Sequence, residues 1–191
     1  MNVAHGILMR MFGRPKGIVG RLGGIIMART NQPCAAWVID LLSIQPHDSV
    51  LEVGFGPGVG IELLARSVPE GYIAGVDPSD EMLKQAKARN VKAIESGRVD
   101  LRYGSVERLP FEDSTFSNAL ATNSMQVWPD PMIGLREMRR VMTPDGCIAL
   151  AFTPYSGQSK NGLPEMLTAA GFTEAHVVEA EEGFCALAKK P

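Results

Sequence analysis

The chain alternates short, mostly apolar runs with stretches whose apolar residues recur at helical spacing. The apolar runs end near positions 53, 77, 103, 122 and 152. After the first run, Ile61, Leu64 and Val68 follow the i, i+3, i+7 pattern of an amphipathic helix. Short apolar runs separated by helices are typical of strands buried on both faces of a parallel sheet. The pattern therefore predicts an α/β fold, with two further strands near residues 172–179 and 183–188.

A glycine-rich turn joins the first predicted strand to the first predicted helix. Segment 50–60 reads VLEVGFGPGVG, with Gly54, Gly56 and Gly58 at alternate positions and Glu52 two residues before them. Dinucleotide-binding loops have the spacing G-x-G-x-x-G, and the third glycine of that motif is missing here in either register. Because Glu52 would repel a pyrophosphate and attract a cation, the loop favours a cationic ligand.

The second predicted strand ends at an acid that suits a ribose. An acid at this position, Asp77, can accept hydrogen bonds from both ribose hydroxyls. Asp77 could instead cap the helix that follows Pro78, but Ser79 is better placed, because Asp80 and Glu81 then occupy the first turn. The sequence therefore predicts that Ser79 caps a helix through about residue 96 and that Asp77 stays free for a ligand.

These motifs resemble those of the class I S-adenosylmethionine-dependent methyltransferases. The similarity rests on E-x-G-x-G-x-G at 52–58, on GSVERLPF at 104–111, and on LREMRRVMTPDG at 135–146. It covers about residues 35–190 and places the chain with small-molecule enzymes of the ubiquinone and menaquinone biosynthesis type. It implies a doubly wound, seven-stranded, mostly parallel Rossmann-like sheet with a helical N-terminal extension. It also implies S-adenosylmethionine as cofactor and S-adenosylhomocysteine as product.

The resemblance further implies where the cofactor binds. The implied contacts come from the glycine loop and from the ends of the second, third and fourth strands: Glu52, Gly54, Gly56, Gly58, Asp77, Pro78, Met82, Ser105, Val106 and Asn123. The family's aspartate at the adenine amino group is replaced by Ser105, whose neutral hydroxyl would bind about 1 kcal/mol more weakly. Val106 would offer its backbone amide to the adenine ring. Asn123 would face the methionine portion through its carbonyl or its amide.

The implied reaction is in-line transfer of a methyl group to a small-molecule acceptor, lipophilic acceptors included. Positioning alone can supply roughly 7–11 kcal/mol, so a general base is needed only if the acceptor must lose a proton. The candidate base is His5, whose alternative is an ordinary exposed histidine. Trp128 is equally compatible with packing at a helix entry and with a substrate wall. Two other classes stay open: a non-catalytic cofactor-binding sensor or partner protein, and a nucleotide-dependent dehydrogenase, which the glycine spacing disfavours.

The charge of the chain is unevenly distributed. Residues 1–33 carry five basic residues and no acid, although the net charge of the whole chain is −2. This apolar and basic segment predicts a cap over the acceptor pocket, ahead of an S-adenosylmethionine-binding domain at 34–191. Peripheral membrane contact is the second interpretation and a solvated tail the third. The net charge gives no reason to expect a nucleic-acid partner, and the absence of a D/N-P-P-Y/F motif after the fourth strand disfavours nucleobase methylation.

The cysteines and histidines add two expectations. Cys34, Cys147 and Cys185 are odd in number, and two of them lie in predicted core strands, which favours reduced thiols in a cytoplasmic protein. The three histidines show no metal-ligand spacing, so no metal site is predicted. No apolar run is long enough to span a membrane.

Overall fold

A computed structural model describes residues 31–191, which form one seven-stranded sheet covered by helices on both faces. The strands are β1 (Ser49–Val53), β2 (Tyr72–Asp77), β3 (Val99–Tyr103), β4 (Phe116–Thr122), β5 (Met142–Phe152), β6 (Thr173–Ala180) and β7 (Gly183–Lys189). The helices are α1 (residues 31–41), α2 (Val59–Ser67), α3 (Asp80–Arg89), α4 (Val91–Glu95), α5 (Pro131–Val141) and α6 (Leu163–Ala169), with a 3-10 turn at Met125–Val127.

The strand order is β3-β2-β1-β4-β5-β7-β6, and β7 alone runs opposite to the other six strands. Strands β1 to β5 are parallel, so their carboxyl ends meet at one edge of the sheet. The order reverses between β1 and β4, and ligands of such sheets bind in the crevice outside this switch point. The predicted doubly wound, mostly parallel fold is confirmed.

Alternation along β1 decides which helices cover each side chain. Leu51 and Val53 face the cluster that includes α5 and α6, whereas Val50 faces the cluster that includes α1 and α2. Because successive side chains of a strand point to opposite faces, Glu52 lies on the same face as Val50. In β4, Leu120 belongs to that face as well, so Thr122 also points towards α1 and α2.

The prediction of one helix from Ser79 to about residue 96 is wrong in the length of the helix. It divides at Asn90 into α3 and α4. The Asn90 side-chain amide donates to the Gly58 carbonyl at 3.1 Å and to the Ala86 carbonyl at 2.9 Å. These bonds tie the end of α3 to the glycine loop, and the competition of an asparagine side chain with the helix backbone explains the break.

Pro144, Asp145 and Gly146 are typical turn residues and predict a turn before the fifth strand, but this prediction is wrong, because β5 begins at Met142, directly after α5. Met142 pairs with Phe116, and the register shifts before Cys147 pairs with Asn118. The polar residues that suggest a turn therefore lie within this irregular part of β5. The predicted cap at residues 1–33 lies almost wholly outside the described residues, as does the candidate base His5.

Candidate active site

A cavity of about 700 Å³ opens at the carboxyl ends of β1, β2 and β4, a volume ordinary for a small-molecule site. The predicted cofactor residues that line it are Glu52, Gly54, Gly56, Asp77, Pro78, Met82, Ser105, Val106 and Asn123. Gly58 is not among the lining residues. It has φ +80°, and a Cβ there would be 2.7 Å from the Ala86 Cα, so this glycine lets α3 approach the loop.

The glycine loop is fixed by the neighbouring strands. The Gly54 backbone N–H donates to the Val76 carbonyl at 2.8 Å. With φ +75°, Gly54 takes a left-handed conformation, and a Cβ there would be 2.3 Å from the Ser124 Cβ. Ser124 in turn donates its hydroxyl to the Val53 carbonyl at 2.8 Å. Ser124, two residues after the end of β4, therefore holds the loop after β1 in place.

Asp77 is buried at the end of β2 and accepts two backbone hydrogen bonds. Its Oδ1 accepts from the Ser79 N–H and its Oδ2 from the Gly56 N–H, each at 2.9 Å. Ser79 caps α3 as predicted, because its hydroxyl accepts from the Met82 N–H at 3.3 Å. The expectation that Asp77 would be free is wrong to this extent, but each carboxylate oxygen keeps a second acceptor site. Burial raises the pKa of Asp77 to about 6, against the effect of these two bonds.

Glu52 is 3% exposed, and no described residue forms a hydrogen bond with its Oε2. Its carboxylate lies against α2, where a Cβ on Gly60 would be 2.3 Å from Oε1. The glycine at this position therefore makes room for the acid. Burial, and secondly the charge of Asp77, raise the pKa of Glu52 to about 8, although the Ile61 N–H lowers it. A positively charged ligand group beside Glu52 would lower its pKa again, because it would stabilise the ionised carboxylate.

The wall of the cavity is strongly acidic. Among the described residues, its lining acids are Glu52, Asp77, Asp80, Glu81 and Glu107, against one lining base, Lys84. A site of this sign attracts cations and repels phosphate. The electrostatics agree with the glycine spacing, which disfavoured a dinucleotide.

Ser105 has an acidic neighbour that the sequence interpretation missed. The Ser105 hydroxyl accepts from the Glu107 N–H at 3.3 Å and lies 3.4 Å from Glu107 Oε2. Glu107 also lines the cavity. The sequence did contain a signal for this neighbour, because Glu107 stands two positions after Ser105, where the family has aspartate.

The Asn123 side chain is already occupied by the protein. Asn123 has φ +50°, and its amide nitrogen donates to Asn31 Oδ1 at 3.0 Å and to Thr153 Oγ1 at 3.1 Å. Its Oδ1 accepts from the Thr153 N–H at 2.9 Å. These bonds join the described start of α1 to the ends of β4 and β5. Of the two groups that the sequence offered to a ligand, only the backbone carbonyl of Asn123 keeps accepting capacity, since it has one bond, from Gln126 Nε2 at 3.1 Å.

Trp128 packs at the entry to α5 and also borders the cavity, so its role as a substrate wall stays a prediction. Its ring lies against Gly134 of α5, where a Cβ would be 2.8 Å from Cε3, and the residue also lines the cavity. Val127, which is 40% exposed, and Pro129 extend this apolar wall outwards from Asn123.

The three cysteines are free thiols in the structure, as the sequence predicted. Cys34 and Cys185 are buried, and burial raises the pKa of each thiol. Cys147 is only half-buried, so the expectation of a core position is wrong for this residue. Within residues 31–191, no group of three His, Cys, Asp or Glu side chains is arranged to hold a metal ion. In the same part of the chain, no helix has the length and apolar character needed to cross a membrane.

Comparison with known proteins identifies one family profile and several similar proteins, of which YdaC covers the largest share of this chain among those described here. A family profile described as "Methyltransferase domain" matches residues 51–150. The uncharacterized methyltransferase YdaC of Bacillus subtilis is 33% identical over 182 residues, covering 89% of this chain and 98% of its own. A demethylmenaquinone methyltransferase of Listeria welshimeri is 31% identical, covering 68% of this chain and 55% of its own. The crystal structure of a SAM-dependent methyltransferase from Aquifex aeolicus shares the fold, with a TM-score of 0.72 at 22% identity over 81% of this chain and 88% of that one.

These matches agree with the chemistry of the cavity. S-adenosylmethionine carries a sulfonium and an ammonium and no phosphate, so it fits an acidic site with an unpartnered carboxylate oxygen on Glu52. The profile covers more than half of the chain, and the YdaC match spans nearly all of both proteins. The chain therefore belongs to the class I S-adenosylmethionine-dependent methyltransferases.

Proposed function

We propose that this methyltransferase acts on a small, lipophilic acceptor that binds against the apolar wall of Val127, Trp128 and Pro129. The observation that carries the proposal is this wall, which extends outwards from Asn123 at the switch point of the sheet. Apolar walls with few polar groups are typical of sites for small organic molecules. The similarity to a demethylmenaquinone methyltransferase supports an acceptor of this class, although the chain spans only 55% of that relative.

The cofactor is assigned to the acidic part of the cavity. We infer that Asp77 accepts from the ribose hydroxyls, since each of its oxygens retains an acceptor site. Glu52 then faces the positively charged methionine portion, together with the Asn123 carbonyl. We infer that Ser105, Val106 and the neighbouring Glu107, which follow the end of β3, contact the adenine.

The protein has little covalent chemistry to perform. When bound, the cofactor supplies a methyl group on a sulfonium, which is already activated for displacement. The glycine loop and Asp77 fix its position, and the Trp128 wall orients the acceptor and excludes water. Such positioning can supply roughly 7–11 kcal/mol, so the proposal needs no general base from the described residues.

Calorimetry and a labelled-methyl assay test this function. The chain is expected to bind S-adenosylmethionine and S-adenosylhomocysteine but not NAD. It should also transfer labelled methyl groups to lipophilic members of a panel of hydroquinones, phenols, aliphatic acids and polar amines. Transfer only to polar amines would contradict the lipophilic acceptor. Binding without transfer to any member of the panel or to cell extract would favour the non-catalytic sensor.

Deleting residues 1–30 is expected to abolish methyl transfer while leaving S-adenosylhomocysteine affinity within about threefold. We propose that this apolar segment covers the acceptor, because the assigned cofactor contacts begin at Glu52, and exclusion of water is needed only around the methyl group. Turnover and calorimetry on the truncated chain measure the two effects separately. If full turnover is retained, the segment does not cover the acceptor, and membrane contact becomes the better interpretation of its basic residues.

Replacing Glu107 by glutamine is expected to weaken S-adenosylhomocysteine binding about fivefold. The substitution exchanges a charged acceptor for a neutral one beside the adenine, a difference of about 1 kcal/mol. Ser105→Asp is expected to weaken binding in the wild-type background, because its carboxylate would lie beside that of Glu107. In a Glu107→Gln background the same change should restore binding. Calorimetry on wild type, the two single variants and the double variant completes a double-mutant cycle. Additive effects on affinity would show that Ser105 and Glu107 do not act on the same ligand group.

We also infer a cytoplasmic location, for which the buried, unpaired thiols of Cys34 and Cys185 provide support. The basic residues before position 31 make peripheral membrane contact the second proposal for a partner. Vesicle co-sedimentation with neutral and anionic lipids would test it.

A further inference from the structure

Two buried polar side-chain atoms lack a hydrogen-bond partner within residues 31–191, and both belong to residues that line the active-site cavity. They are Glu52 Oε2 and Thr122 Oγ1. Glu52 is 3% exposed and Thr122 is 8% exposed. Neither the motifs nor the family resemblance pointed to Thr122.

The two residues lie near the carboxyl ends of the adjacent strands β1 and β4 and face the same layer of helices. Glu52 of β1 pairs with Leu120 of β4, and Thr122 lies two residues further towards the carboxyl end. Because side chains two residues apart share a face, Thr122 points, as Glu52 does, towards α1 and α2. The cavity on this face is bordered by Ala35 of α1 and Gly60 of α2.

Residues 31–191 supply no partner for the Thr122 hydroxyl, although polar side chains lie on both sides of it in the sequence. The Asn123 amide is occupied by Asn31 and Thr153, and the Ser124 hydroxyl donates to the Val53 carbonyl. A buried hydroxyl without a partner costs roughly 1–3 kcal/mol. Such a cost at a cavity wall is explained if a ligand completes the hydrogen bond.

The charges select the chemistry of that ligand group. A carboxylate would be repelled by Glu52 and Asp77, whereas a primary ammonium has three N–H donors for several acceptors. A hydroxyl oxygen has two lone pairs and can accept from such a donor. We propose that Thr122 Oγ1 and Glu52 Oε2 together bind the ammonium group at the methionine end of the cofactor. This inference rests on the proposed placement of the cofactor and adds Thr122 as a residue that determines its specificity.

The test compares Thr122→Val, which keeps the shape but removes the hydroxyl, with Thr122→Ser, which keeps the hydroxyl. Calorimetry measures the affinities for S-adenosylhomocysteine and for 5′-methylthioadenosine, which lacks the amino-acid portion. The valine variant is expected to bind S-adenosylhomocysteine five- to twentyfold more weakly and methylthioadenosine within twofold of wild type. The serine variant should bind both within about threefold of wild type. Thr173→Val, at an exposed position on β6, is the matched control.

A second readout separates binding from packing. Without ligand, Thr122→Val should melt at the same temperature as wild type or higher, because it removes an unpartnered hydroxyl. With S-adenosylhomocysteine, its rise in melting temperature should be smaller than that of wild type. Equal losses for both ligands, or no loss for S-adenosylhomocysteine, would overturn the inference while leaving the proposed function intact. If wild type binds neither ligand, the proposed function fails as well.

Discussion

Replacing Asp77 by alanine is expected to weaken S-adenosylmethionine binding at least tenfold. Hydrogen bonds to a charged group contribute roughly 1.5–3 kcal/mol each, and two ribose hydroxyls would lose their acceptor. The Gly56 and Ser79 N–H groups would lose theirs as well, which loosens the glycine loop. Both consequences act in the same direction, so this substitution should have the largest effect on affinity in the cavity.

The asparagine variant separates the two causes. Asp77→Asn retains one side-chain acceptor and about the same volume, so the loop should be less disturbed while the ribose still loses the charged acceptor. Its affinity, measured by calorimetry, should lie between wild type and Asp77→Ala. Asp40→Ala, on the exposed side of α1, is a control for removal of a carboxylate. Unchanged affinity in Asp77→Ala, with a normal melting temperature, would contradict the ribose assignment.

Replacing Glu52 by glutamine is expected to stabilise the ligand-free protein, and increasingly so as the pH rises towards 8. The folded-state pKa of Glu52 is raised from 4.5 to about 8, so the folded chain holds a proton that the unfolded chain releases. The stability due to this proton is fully present below pH 4.5 and is lost as the pH rises through 8. Glutamine needs no proton, so its advantage should reach roughly 3–5 kcal/mol by pH 8, at about 1.4 kcal/mol per pH unit.

Denaturant unfolding of both proteins between pH 5 and 8 measures this difference. Glu95→Gln, on the exposed side of α4, is the matched control and should show no comparable trend. A constant difference between Glu52→Gln and wild type across the range would show that Glu52 is ionised in the folded protein throughout.

Glu52→Gln should also weaken the binding of the cofactor and reduce the pH dependence of its affinity. A cationic ligand needs Glu52 ionised, so wild-type affinity should rise between pH 6 and 7.5 as that ionisation becomes easier. With glutamine the rise should be reduced and the affinity at pH 7.5 lowered more than tenfold. Calorimetry in two buffers of different ionisation enthalpy would detect the proton released on binding. Equal pH profiles for the two proteins would exclude Glu52 as the group that titrates.

Local pattern was enough for the order of the elements but not for their ends. The alternation of apolar runs and helical spacing predicted the strands and the main helices, because burial on a parallel sheet leaves that pattern in the sequence. The break at Asn90 and the early start of β5 depend on contacts between residues distant along the chain. Asn90 bonds to Gly58, and Met142 pairs with Phe116, neither of which leaves a local signal.

The sequence by itself determined the α/β fold, the glycine loop and the acids Glu52 and Asp77 at the ends of the first two strands. Those features follow from residue type and spacing, which local rules interpret directly. Only the tertiary structure decided that the Asn123 amide is occupied and that Thr122 has no hydrogen-bond partner among residues 31–191. A hydrogen bond depends on which groups of separate strands and loops come within about 3 Å of one another, and that distance is set by the packing of the whole sheet.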